Sequence, residues 1–108
     1  MESSVIYHLT TLQEWETAQD KGYYDPPAFQ QEGFIHCATH DQLGHVMEKH
    51  FQKHENLVKL VIDPTRLTTQ QLRYDINGTK QEYPHIYGPL NLEAVTQIVF
   101  VDPISSEG

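Results

Sequence analysis

The stretch from Leu72 to Tyr83, LRYDINGTKQEY, sets Asn77-Gly78 between two β-prone runs. A two-residue hairpin turn needs positive φ at both central positions, which Asn-Gly supplies with a twist that matches right-handed strands. It predicts antiparallel strands over 72–76 and 80–83. Working outward, Val95 to Val101 reads as the last strand, after a short turn opened by Asn91. Leu57 to Ile62 reads as an earlier strand stopped by Asp63-Pro64. Helical patterns come only before these strands. The order predicts a single α+β domain over 1–108 with largely antiparallel small sheets and two helices, and a loose tail from about residue 103. A parallel doubly wound fold would alternate strand and helix throughout and is disfavoured.

In the first half, 5–9 reads as a strand with Ile6, His8 and Thr10 toward one face. Thr11-Leu-Gln-Glu14 is a capping box opening a helix that ends near Gly22. Residues 24–31 are expected to be irregular, because Asp25-Pro26-Pro27 removes backbone donors and disfavours helix before each proline. A strand is expected over 34–38. Thr39 and Gln42 then form a second capping box for a helix from about His40 to His54, buried through Leu43, Val46, Met47 and Phe51 at helical spacing.

Fifteen acids against seven Lys and Arg give a net charge of −8. That balance opposes non-specific binding to nucleic acid or anionic lipid. Cys37 is the only cysteine, so no intrachain disulfide can form. No apolar run reaches membrane-spanning length, and a cytoplasmic protein is expected. There is no Walker A loop, Rossmann glycine pattern or GxSxG elbow.

Three histidines sit in short apolar segments: His8 in VIYHLT, His36 in GFIHCAT and His85 in YPHIYGPL. A buried imidazole has a donor and an acceptor to satisfy, so stability alone favours valine there. Converging, they would make a polar pocket suited to phosphate, sugar or a labile proton. His85 and Tyr87 project to one side if their segment is extended, Gly88 permits close approach, and Asp75 or Glu82 could orient a histidine. His36 and Cys37 point to opposite faces, so they are no nucleophilic pair, and Cys37 reads as a small core residue. His36/His40 and His50/His54 have chelating spacing but bracket no glutamate as HExxH does, and surface histidines are favoured over a metal site. A zinc site from His8, His36 and His85 ranks below an organic-ligand pocket.

GFIHCAT, LVKLVIDPTRL, RYD and YPHIYGPLNLEAV together resemble a mostly bacterial family, domain of unknown function 952, across nearly the whole chain. The resemblance implies the ADP-ribosylation fold, whose enzymes bind NAD or an ADP-ribosylated intermediate in a cleft between two small sheets. It implies that His8, on the first strand, holds a ribose hydroxyl. Members often have glutamate where Asp75 stands, one methylene longer.

The expected function is binding of a nucleotide or NAD/ADP-ribose-like ligand, with transferase or glycohydrolase chemistry in prospect. His36, His85 and Asp75 are the candidate catalytic residues, Asp75 stabilising an oxocarbenium-like ribose. His8, Thr10, Thr39, Tyr87 and Gly88 are the candidate ligand-binding residues. The rivals are a non-catalytic sensor module using the same pocket and a metal-dependent hydrolase.

Overall fold

The computed structural model describes residues 5–51, 57–68, 71–76 and 81–101, with only the backbone of 47–51 and 71. The Asn77-Gly78 turn, Lys80, the helix end toward His54, the tail from about 103 and the side chains of Met47, His50 and Phe51 lie outside the described residues.

One sheet places β4 (Leu57–Ile62) between β1 (Ile6–Thr11) and β8 (Val95–Val101), all antiparallel. A central strand is covered on both faces and therefore reads as a near-continuous apolar run. In β4, Leu57, Val58, Leu60 and Ile62 are all buried. A second antiparallel sheet places β6 (Glu82–Tyr87) between β3 (Ile35–His36) and β5 (Gln71–Ile76). Ile35 and Ile86 carry its buried side into the common core with Ile6, Leu60 and Ile62. Between the sheets, Tyr7 and Ala38 exchange two backbone hydrogen bonds of 2.8 Å.

Among the described residues there are three α-helices, α1 (Leu12–Lys21), α2 (Pro27–Glu32) and α3 (His40–Phe51), where the sequence suggested two. α2 occupies the stretch expected to be irregular. Its prolines fall at the N-cap and first position, where a missing N–H has no intrahelical role and the fixed φ already suits a helix. α1 begins and ends as expected. Thr11 Oγ accepts from Glu14 N–H at 3.1 Å, and Gly22 takes the left-handed conformation with φ 97°, its N–H bonded to Ala18 O. Trp15 and Ala18 bury the inner face of α1.

β6 also runs further than expected, through Tyr87. Pro84 is tolerated in this central strand because a residue's N–H and C=O face the same antiparallel neighbour. For Pro84 that neighbour is Cys37, just past the end of β3, and only the Pro84 carbonyl is needed there, accepting from Cys37 N–H at 2.9 Å. A two-residue ladder between β2 (Tyr23–Tyr24) and β7 (Leu90–Asn91), unmarked by any turn signal, ties the α1–α2 connection to the end of the second sheet. Among the described residues no helix is long and apolar enough to cross a membrane.

Candidate functional site

Because β1 runs directly into α1, its last residues and the first helical turn form one local polar unit. The Thr10 hydroxyl donates to Glu14 Oε1 at 2.9 Å. The capping box is thereby half used: Thr11 caps the helix, while the Glu14 carboxylate turns to Thr10. His8, two residues earlier on β1, donates from Nδ1 to the carbonyl of His36 at 2.5 Å. A carbonyl only accepts, so Nδ1 must carry a hydrogen. Its Nε2 lies 2.7 Å from the Tyr24 hydroxyl. Tyr24 is 2% exposed, and burial pushes its phenol well above the usual range.

His8, Thr10, Glu14, Tyr24 and His36 share the wall of a cleft of about 560 Å3 whose apolar side includes Leu43. That volume is in the range of small-molecule sites. No Lys or Arg is among the described residues that line it. Glu14 and Tyr24 also border a second, more polar cleft of about 730 Å3 between α1 and α2, where Lys21 and Asp25 form an ion pair.

A different cluster lies on the β3–β6–β5 sheet. His36 and His85 face each other across β3 and β6, with ring centroids 5.0 Å apart. His85 Nδ1 donates to Asp75 Oδ2 at 3.0 Å, and the Tyr87 hydroxyl donates to the same oxygen at 2.6 Å. These two bonds, that of Tyr87 first, hold the Asp75 carboxyl below its usual range. Phe34 stacks on the His85 ring at 4.2 Å. His85 is 2% exposed, and its Nε2 is buried with no hydrogen-bond partner among the described residues. The outer ring nitrogen of His36 pairs with Glu32 of α2.

The expected site residues thus divide. His8 and Thr10 enter the cleft network; Asp75, His85 and Tyr87 form the sheet cluster, outside the residues that line that cleft; His36 belongs to both, through its backbone and its ring. Thr39 lies apart, its N–H donating to Gln42 Oε1 at 3.0 Å beside a smaller hollow with Tyr7 and His40. Gly88 turns the chain from β6 toward β7 with φ 137°, a conformation that side chains disfavour. Cys37 is buried, which pushes its thiol up and leaves it unreactive. Among the described residues no three His, Cys, Asp or Glu side chains gather closely enough to hold a metal ion. His45 is exposed, as helical spacing relative to Leu43 requires, yet it borders the cleft.

Residues 9–98 match the family described as protein of unknown function, DUF952. The chain belongs to the DUF952 family. Both GFIHCAT and PHIYGPL fall inside the matched span, and His8 falls one residue before it. The crystal structure of protein CC0527 from Caulobacter crescentus is similar to this DUF952 chain with a TM-score of 0.83 at 27% identity, covering 92% of this chain and 87% of that one. The solution NMR structure of CC0527 gives a TM-score of 0.77 at 27% identity, covering 91% and 84%. No curated protein matches the chain.

Tyr24, Glu14, Phe34 and Glu32 are site residues of this DUF952 chain that sequence reasoning missed. Glu14 was legible only as the fourth residue of a capping box, a role that accounts for a glutamate by itself. Tyr24 sits beside Asp25-Pro26-Pro27 in a segment without periodicity, so nothing local marks it as buried.

Proposed function

We propose that this chain binds a nucleotide or an NAD- or ADP-ribose-like ligand in the cleft walled by His8, Thr10, Glu14 and Tyr24. The observation that carries this conclusion is the Glu14 carboxylate, fixed by Thr10 at 2.9 Å on the wall of a cleft of about 560 Å3. A carboxylate has about four lone-pair sites, and Thr10 takes one. Paired ribose hydroxyls suit the remainder, as they suit the acidic residue of dinucleotide sites. Tyr7 and Tyr83 add ring surface to the same wall. Without Lys or Arg in the lining, the ribose and base would enter, and phosphates would remain toward the mouth, where His45 can meet them when protonated.

Two small antiparallel sheets beside a cleft, with His8 on the first strand, support an ADP-ribosylation-like fold as part of the same proposal. Should glycosidic chemistry follow, the carboxylate placed to stabilise an oxocarbenium-like ribose is Glu14, since Asp75 is held by His85 and Tyr87 away from the cleft lining. A non-catalytic sensor is the second conclusion the site supports, because both ring nitrogens of His8 are committed to protein partners. The net charge of −8 supports a small ligand over nucleic acid.

Thermal shift and calorimetric titration with NAD, ADP-ribose and mononucleotides test the proposal. A ligand at 100 times its dissociation constant should stabilise the protein by about 2.7 kcal/mol. Glu14→Gln should abolish that gain while leaving the ligand-free melting temperature nearly unchanged. Absence of any shift across the set, or equal binding by Glu14→Gln, would overturn it.

A further inference from the structure

The second cleft, about 730 Å3 between α1 and α2, shares Thr11, Glu14, Tyr24, Pro26 and Pro27 with the wall of the first. The two hollows therefore adjoin, and Glu14 stands on the ridge between them. Helical spacing builds the α1 side: Glu14, Thr17, Ala18 and Lys21 recur at intervals of three and four and make one stripe along the cleft. Gln30 and Gln31 answer from α2. The charges in this wall cancel before any ligand arrives. Lys21 pairs with one oxygen of Asp25, and the other accepts from Gln30 Nε2 at 3.1 Å. Apart from Glu14 at the ridge, neither an anion nor a cation finds an uncompensated partner there. What the wall offers instead is amides. The side chains of Gln13 and Gln31 make no hydrogen bond among the described residues, so each presents two N–H donors and a carbonyl to the cleft. Thr17 donates its hydroxyl hydrogen to Gln13 O at 3.0 Å and keeps its lone pairs to accept.

We propose that the cleft between α1 and α2 is a subsite for an uncharged polyhydroxyl group of the sugar class, and that Glu14 accepts hydroxyls from the occupants of both clefts. Amides that donate and accept in equal measure match hydroxyls, which do the same. Ala18, Pro27 and Tyr24 add apolar wall for the C–H faces of a sugar ring. A carboxylate has about four lone-pair sites and Thr10 fills one, so about three remain for the two sides. The proposal deepens the nucleotide reading and rests on it for Glu14 as a carboxylate that faces ligand. The sugar in the second cleft is the far end of the ligand in the first or a separate molecule, and the chemistry that holds it is the same.

Amide NMR of the labelled full-length protein, titrated with D-ribose, glucose and sucrose, tests it without a nucleotide. Saturable shifts should centre on Gln13, Thr17 and Gln31. Glucose 6-phosphate and glucosamine should bind no more than about tenfold tighter than glucose, since the wall favours neither charge. Thr17→Trp fills the cleft from α1 and should weaken sugar binding by about tenfold or more; should that variant fail to fold, Gln31→Trp fills it from α2 with the same expectation. Glu14→Gln removes the charged acceptor at the ridge and should weaken it by about tenfold. Saturating ADP-ribose should displace the sugar where one ligand spans both clefts, and should bind beside it where the sugar is a separate molecule; the subsite stands in both cases. Absence of saturation, equal binding by the filled variant and the wild type, or a charged analogue bound more than about tenfold tighter than glucose would overturn the proposal. Gln13, Thr17 and Gln31 lie outside the wall of the first cleft, so a failed nucleotide screen and a failed sugar subsite are told apart.

Discussion

A buried imidazole nitrogen that meets no partner costs about 1–3 kcal/mol, and among the described residues His85 carries one beside a carboxylate that fixes its other nitrogen. Asparagine at this position keeps an N–H for Asp75 but exchanges the orphan nitrogen for a buried amide oxygen and gives up the stacking on Phe34, so His85→Asn should cost about 1–3 kcal/mol in urea denaturation. No loss would show that the orphan nitrogen costs the fold as much as the packed ring returns. Asp75 gives a pH dependence of known sign. Its folded carboxyl titrates below the unfolded value of about 3.9, so its contribution to stability is present above that value and is lost as pH falls through the folded one. Denaturation midpoints measured from pH 6 down to 2 should show Asp75→Asn losing less than the wild type. A parallel decline in the two proteins would assign the acid limb to other carboxylates.

Among the secondary elements, α1 was legible because its signals are local: Thr11 before the helix, Glu14 three residues on, Gly22 at its end. Thr11→Ala removes only the cap to Glu14 N–H and should cost about 1 kcal/mol, read from the denaturation midpoint at constant slope. No loss would show that solvent replaces the cap. The edges of β4 and β8 were equally readable, from a continuous apolar run ended by Asp63-Pro64 and from a β-prone run after the turn opened by Asn91. α2 was missed because Pro26-Pro27 breaks a helix anywhere but in its first turn, and position within a helix is not printed in two adjacent prolines. The ladder of β2 with β7 joins residues nearly seventy positions apart, and neither dipeptide carries a period to detect.

At the scale of the molecule, antiparallel pairing followed from the hairpin segment, but the split into two sheets did not. It depends on where β1 and the chain after β3 meet, a contact set by packing. The same packing set His8 and His85 apart, with His36 between them. Apolar context showed correctly that His85 is buried; it could not show that His8 turns to Tyr24 while His85 turns to Asp75, because partners in space leave no mark on sequence spacing. The joint between the sheets has a mechanical meaning. Tyr7 and Ala38 are stitched by one reciprocal pair of bonds, whereas β1 and β4 share a six-residue ladder. That seam is the natural hinge: hydrogen exchange should release the Tyr7 and Ala38 amides at one common rate, well before Leu60 in the middle of β4, and a ligand gripping both lips of the cleft should slow that pair while leaving Leu60 unchanged.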